Sequence, residues 1–371
     1  MMIKGVVRLV LGGNMKLKKL AALVLTGVIC LTTLFGCGTN AEKSIATLGE
    51  ENITFGVANF IVKYQKASVD DMYAMYASMY GVDSMWDMDT SGSGSTTEVE
   101  FKESAMDMIH EMYTLKAHLA DYGVEITAED EAAIKEAASA FMAANSEAAI
   151  KEFGATEEIV AEALKLYTIQ AKMYNKIIED TDRNVSDEEA NMRGYSMLEI
   201  DLSGYYDEES NWVEYTEEEI EELKTKAVGM QLDLKTKTME DVAKNYDYEV
   251  TTSAYAKEDV SLDADVLTAL NALAEGEVSD MVETENAIYF LRIDKDTDVD
   301  ATEENRQSII AERENALYKE VVTKWQENDG WDYDESMLED IDFHNNFTIY
   351  EQEEETEDSD VSETVDGTES N

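Results

Sequence analysis

Apolar residues recur along this chain in three textures. The first is an unbroken run, "LAALVLTGVICLTTLFG" from Leu20 to Gly36, preceded by the basic opening "MKLKK" at Met15. A basic start, an apolar stretch of this length and small residues at its end predict a secretory signal rather than a fold element. Met15 opens that region cleanly, so either Met1 or Met15 serves as the start.

The second texture is helical. Phe101, Ala105, Met108, Met112, Leu115, Leu119 and Tyr122 step alternately by four and three, which draws one apolar stripe down a helix that Gly123 ends. "TAEDEAAIKEAASAFMAAN" and "ATEEIVAEALKLYTIQAKMYNKIIED" predict two further helices. Thr127 is placed to cap the first of them, and Ile159, Ala163, Leu166, Met173 and Ile177 form one face of the second. Upstream, the Met- and Tyr-rich stretch "VDDMYAMYASMYG" also reads as helix, and "TSGSGSTT" at Thr90–Thr97 has the composition of a flexible loop. Nothing here alternates with period two, so residues 41–190 are predicted to form an all-helical domain. Ser186 with Glu189 three positions on reads as a capping box at its end.

The third texture begins after Asn191. "YSMLEIDL", "YEVTTSAY" and "NAIYFLRI" have strand character, and between them fall helical segments, the first capped by Thr216 with Glu219 and striped by Ile220, Leu223, Ala227, Met230 and Leu234. The order strand, helices, strand, helix, strand over residues 191–296 predicts a small α+β domain. Residues 301–329 return to a long helix with Ile310, Leu317, Val321 and Trp325 on one side, expected to pack back onto the helical domain. No Lys or Arg follows Lys324, and residues 330–371 are expected to be a disordered acidic tail.

Charge narrows the function classes. A net charge of -53 opposes nucleic-acid binding, which needs clustered Lys and Arg against phosphates. Proline is absent from the whole chain, where average usage would give roughly 18. The two cysteines lie at the signal: Cys30 inside the apolar run and Cys37 after it. "LFGC" resembles the lipobox of bacterial lipoproteins, which implies cleavage of residues 1–36, lipid on Cys37, and a mature chain without a free thiol. A plain signal peptide or a membrane-spanning helix is the alternative.

Other clusters carry less. Met72, Met75, Met79, Tyr76 and Tyr80 offer either a pliable apolar surface or core filling, and core filling or a loose end is the simpler expectation. "DTDVDATEENRQ" from Asp296 has calcium-loop spacing but Ala301 and Gln307 where such a loop needs Gly and Glu. His110 and His118 lack ligand-like neighbours, so no metal is expected, and nothing calls for a cofactor.

Two stretches carry a family resemblance. "TMEDVAKNYD" at Thr238–Asp247 is similar to "DFAxLAxxYS", and "LAEGEVSDMV" to "LxxGEVSxPV", of bacterial parvulin-type peptidyl-prolyl isomerases of the extracytoplasmic foldase kind, including the lipid-anchored foldase of Gram-positive bacteria. That family has a helical chaperone domain, a parvulin domain and a C-terminal helix that completes the helical domain. Parvulins carry two facing histidines. The resemblance places Ser196, within about one residue, and Tyr289 at those positions, whereas all three histidines, His110, His118 and His344, lie elsewhere. The α+β domain therefore reads as a parvulin scaffold without its histidine pair, with Leu262, Val266 and Met281 lining a pocket for prolyl or apolar segments. Implied partners are unfolded or nascent secreted polypeptides and, through the anchor, the outer face of the cytoplasmic membrane. An active isomerase and a solute-binding or surface-interaction lipoprotein are the alternatives.

Overall fold

Helix starts follow the hydroxyl residues. Thr96, Thr127, Ser146 and Thr156 each accept a hydrogen bond from the backbone N–H three residues on, satisfying a donor that the first helical turn leaves free. The structure, a computed structural model, describes residues 27–30, 41–207, 209–345 and 347–351. It divides into two units, residues 1–180 with 317–371, and residues 181–316.

The first unit opens with β1 (Gly27–Cys30), β2 (Ser44–Leu48) and β3 (Glu51–Thr54). Five helices follow: α1 (Phe55–Tyr80), α2 (Thr97–Ala117), α3 (Ala128–Ala144), α4 (Glu147–Phe153) and α5 (Glu157–Ile177). Phe60, Ile61, Met106, Ile109, Phe141 and Phe153 fill the core between them. Two lysines of α1 are buried in it with carboxylate partners. Lys63 meets Glu152 at 2.7 Å, and Lys66 meets both oxygens of Asp70 at 2.7 Å.

The second unit contains α6 (Asp187–Ala190), β4 (Arg193–Asp201), β5 (Gly204–Tyr206), β6 (Trp212–Glu214), α7 (Glu217–Asp233), α8 (Met239–Asn245), β7 (Val250–Tyr255), α9 (Ala264–Ala272), β8 (Val282–Glu283) and β9 (Ala287–Lys295). Its sheet is antiparallel with order β7-β4-β9-β8, and β5 with β6 forms a separate hairpin. Register decides the faces, because alternate residues of a strand point opposite ways. Leu198, Ile200, Ile288 and Phe290 pack with Ala227 and Met230 of α7 and Val242 of α8. Tyr195, Leu291 and Ile293 pack on the other side with Val266 and Leu270 of α9.

α10 (Val299–Gln326) runs from the second unit's residues into the first unit's. Its last turns place Val322 among Leu115, Ile169, Met173 and Ile177, with Leu317, Val321 and Trp325 against them. Beyond it come β10 (Trp331–Tyr333), α11 (Glu335–Leu338) and β11 (Thr348–Glu351). β11 pairs with β1, inside the run read as a signal segment.

Two expectations are corrected here. The first unit is not all helical, since β10-β2-β3 forms a three-stranded antiparallel sheet. Strands of three to five residues are too short for a period-two signal to emerge. Nor is the acidic C-terminal region disordered from residue 330. Ile341, Phe343 and Phe347 are at most 3% exposed, and each such burial stabilises by about 1.5–3 kcal/mol. The Phe347 N–H donates to Asp70 Oδ2 at 2.9 Å, and Lys66 Nζ donates to the Asn345 carbonyl at 2.9 Å. Three apolar anchors and a buried ion pair outweigh the composition. Residues 352–371 lie outside the described residues.

Candidate functional site

The sheet face under α9 is the candidate site. α9 begins where Asp263 Oδ1 accepts the Asp265 N–H at 2.8 Å and the Val266 N–H at 3.4 Å. That cap fixes Leu262 and Val266 on either side of it, against a cluster that includes Met197, Val282, Tyr289 and Leu291. Arg193 secures the far end of α9. Its guanidinium donates to the Leu270 carbonyl at 3.0 Å, the Leu273 carbonyl at 2.8 Å and Asp296 at 2.6 Å. The strand that closes the face is reached through the Gly276 turn, where φ is +79° and the Gly276 N–H donates to the Ile293 carbonyl at 2.7 Å. A left-handed φ of this kind favours glycine.

Tyr289 lies opposite Glu199 in the ladder, its hydroxyl 3.4 Å from Glu199 Oε1. Burial, then the negative charge of Glu199 and its hydrogen bond, then Asp263 and Asp201, push the Tyr289 phenol up to about 12. At neutral pH it therefore stays protonated and acts as a donor. The face thus joins apolar side chains to three tyrosines, Tyr195, Tyr255 and Tyr289, with the carboxylates of Glu199, Asp201 and Asp263 around Tyr289. It holds no nucleophile with an adjacent base.

Ser196 is not part of it. The register pairs Ser196 with Arg292, which sets Ser196 and Tyr289 on opposite faces of the sheet. Ser196 is 1% exposed and hydrogen-bonds Asp294, Arg292 Nη2 donates to its Oγ at 3.1 Å, and Arg292 bridges on to Asp294 at 2.6 Å and Glu240 at 2.9 Å. This is a polar tie between sheet and α8. Tyr195, Met197, Glu199 and Asp201 of β4 share Tyr289's face, with Glu199 directly opposite it, and the sequence reading missed them. A step of one residue in the strand reverses the face, so the alignment uncertainty at Ser196 hid them.

Met281 is also corrected. It packs with the α7–α8 cluster rather than with Leu262 and Val266, and its neighbour Asp280 accepts from Gln231 of α7 at 3.1 Å. Val282 pairs with Tyr289 and shares its face, so Met281, one residue earlier, points to the opposite one.

The histidines have structural partners. His110 bonds Asp329 at 2.7 Å and stacks on Trp331 at 4.4 Å, and His118 stacks on Trp325 at 4.2 Å. Among the described residues no three metal-ligating side chains converge. Asp298 of the calcium-like stretch accepts the Ala301 N–H at 3.2 Å and pairs with Lys295, as a helix start does. Of the Met- and Tyr-rich stripe, Met75, Met79 and Tyr80 are 59–68% exposed at the end of α1, which is the loose end rather than the core filling of the two expected arrangements. Cys37 lies outside the described residues. No described helix is long and apolar enough to cross a membrane.

Residues 199–302 match the family model of the PPIC-type PPIASE domain. The second unit thus carries a parvulin-type domain, and the chain pairs an α+β parvulin-type unit with a mainly helical one. A search of curated proteins returns no match. Similar solved structures include the foldase protein PrsA from Lactococcus lactis, at 14% identity over 81% of this chain and 99% of that chain, with a TM-score of 0.32. PrsA from Streptococcus pneumoniae is 16% identical over 77% and 85% of the two chains, with a TM-score of 0.28. A SurA-like chaperone from Campylobacter jejuni is 12% identical over 78% and 98%, with a TM-score of 0.26. The assignment of the second unit rests on the family match.

Proposed function

We propose that this protein is a foldase-type chaperone for secreted polypeptides, with a parvulin-type domain that binds prolyl or apolar segments but isomerises them poorly. One observation carries the reading. Within the PPIC-type domain, the face formed by Met197, Tyr289, Leu262 and Val266 is apolar, and no histidine occurs between His118 and His344. Prolyl isomerisation crosses a barrier of about 18–20 kcal/mol through a twisted amide, which needs an apolar pocket and placed hydrogen bonds rather than a nucleophile. Tyr289 supplies one donor without the facing histidine pair of the related enzymes.

The anchor belongs to the same proposal. Cleavage before Cys37 and lipid on that residue place the protein on the extracytoplasmic face of the cytoplasmic membrane, a reading supported by "MKLKK", the apolar run and "LFGC". Stable attachment takes more than one acyl chain, which lipoprotein processing supplies. On this reading β1 leaves with the signal segment. Mass spectrometry of the mature N-terminus tests it: an unmodified Cys37 retained within a longer chain refutes the anchor.

Prolyl cis/trans exchange by NMR on a short Ala-Pro peptide tests the domain, with a histidine-containing parvulin as control. Peptide shifts without accelerated exchange are expected. Exchange at the control's rate makes the protein an active isomerase, the alternative reading, and absence of any binding removes the prolyl site altogether.

A further inference from the structure

β5 and β6 form a hairpin that presents aromatic residues to solvent. Tyr206 is 70% exposed, Trp212 46% and Tyr205 42%, although large aromatic side chains usually find cover. The platform is built. Tyr206 and Trp212 pair at 5.1 Å between ring centroids, and Tyr205 lies 5.3 Å from Tyr215. Gly204 makes room for the indole: a Cβ there would stand 2.3 Å from the Val213 carbonyl oxygen and 2.8 Å from the Trp212 ring. Asp207 closes the turn, accepting the Asn211 N–H at 2.8 Å and the Glu209 N–H at 2.9 Å.

Charge decides what such a platform takes. No Lys or Arg occurs between Arg193 and Lys224, while Glu199, Asp201, Asp207, Glu209 and Glu214 all do. The nearest cations are engaged: Arg193 with Asp296, Lys224 with Glu283 at 2.8 Å, and Lys226 over the Tyr248 ring at 4.4 Å. The hairpin also adjoins the prolyl face. Asp201 ends β4, its charge acts on Tyr289 of that face, and it acts also on Tyr215 at the foot of the hairpin.

We propose that the β5–β6 hairpin is a docking subsite for a lysine- or arginine-bearing stretch of client polypeptide, flanking the residue held under α9. The cationic head stacks on Trp212 and Tyr206, and the carboxylates of β4 and the hairpin neutralise it. Aromatic faces attract ammonium and guanidinium groups, and the surrounding carboxylates disfavour an acidic segment by like-charge repulsion. This rests on the reading of the second unit as a polypeptide-binding domain.

The test uses the full chain and two fluorescent peptides, Ala-Ala-Ala-Pro-Ala and Arg-Arg-Ala-Pro-Ala, at about 0.15 M salt, where exposed charges are screened beyond roughly 8 Å. The variants Tyr206→Ala, Trp212→Ala and their combination keep the net charge of -53 unchanged. The arginine peptide is expected to bind wild type at least tenfold more tightly and to shift the Trp212 indole N–H resonance. The double variant loses that preference and keeps its affinity for the neutral peptide. If the preference survives in the double variant, or the resonance does not move, overall charge and not the hairpin attracts the peptide, and the inference is overturned. Equal binding of both peptides to wild type overturns it alone, whereas failure of both to bind overturns the domain reading with it. Tyr206→Ala alters only an exposed ring, so a partial loss in that single variant separates lost contact from lost fold.

Discussion

Replacing Asp70 with asparagine probes why the C-terminal segment is ordered. Asp70 accepts four hydrogen bonds: two from Lys66 Nζ at 2.7 Å, one from Trp86 Nε1 at 3.0 Å and one from the Phe347 N–H at 2.9 Å. Both side chains of the ion pair are 0% exposed. Burial, the largest influence on each, pushes the Lys66 pKa down and the Asp70 pKa up, so each group keeps its charge only through its partner. An asparagine would fill the same volume but leave the ammonium with two neutral acceptors, its amide oxygen and the Asn345 carbonyl, and the rings of Trp86, Phe343 and Phe347. Removing one partner of a buried pair costs about 3–5 kcal/mol, a large share of the roughly 5–15 kcal/mol that holds a domain folded. With a urea slope of about 2–3 kcal/mol/M, the midpoint should fall by about 1–2.5 M. Tryptophan fluorescence suits the assay, because Trp86, Trp325 and Trp331 all lie in the first unit. Lys66→Met added to Asp70→Asn removes the stranded ammonium and should recover at least half of the loss. A single variant within about 1 kcal/mol of wild type would refute the reasoning, since water would then have to reach the pair.

Truncation after Gly330 removes β10 together with Ile341, Phe343 and Phe347, and should lower the first unit's urea midpoint, whereas truncation after Glu351 should leave it unchanged. In a peptide titration, Leu262→Ala should weaken prolyl-peptide binding severalfold, and Met281→Ala, which packs on the other side of the sheet, should not. Histidines placed at Met197 and Tyr289 together share one face and should raise prolyl exchange above the wild-type rate. Histidines at Ser196 and Tyr289 should not, and the reverse result would show the register to be wrong. Burial opposes the Asp130 carboxylate, but the Lys172 ammonium and the Thr127 N–H more than offset it and hold its pKa below the usual value. The stability this contributes is present above the unfolded value of about 3.9 and is lost as pH falls from there toward the folded value. Thermal midpoints of wild type and Asp130→Asn should therefore converge below about pH 4, and a gap that stays undiminished as the pH is lowered further would contradict the assignment.

Much of this protein is local in origin. Thr127 and Thr216 cap their helices with reciprocal bonds to Asp130 and Glu219, as residue type and spacing alone require. The four-and-three stripe of α2 and the face of α5 follow from 3.6 residues per turn, and β4 and β9 read as near-continuous apolar strands because helices cover both of their faces. Those patterns also carry the parvulin-type order of the second unit. Three features depend on contacts far apart in the chain. Asp70 and Phe347, separated by 277 positions in sequence, are hydrogen-bonded, and no local pattern marks an acidic segment as the lid of a core. Whether Ser196 or Met197 shares a face with Tyr289 depends on which β9 residue lies opposite, and that register is set by packing on α7, α8 and α9. Met281 packs on the α7–α8 side because β8 pairs Val282, its neighbour, with Tyr289. Local rules decide what each element is, because its hydrogen bonds close within a few residues. Pairing and burial decide which side chains meet, because their energy depends on partners that only the folded chain brings within reach.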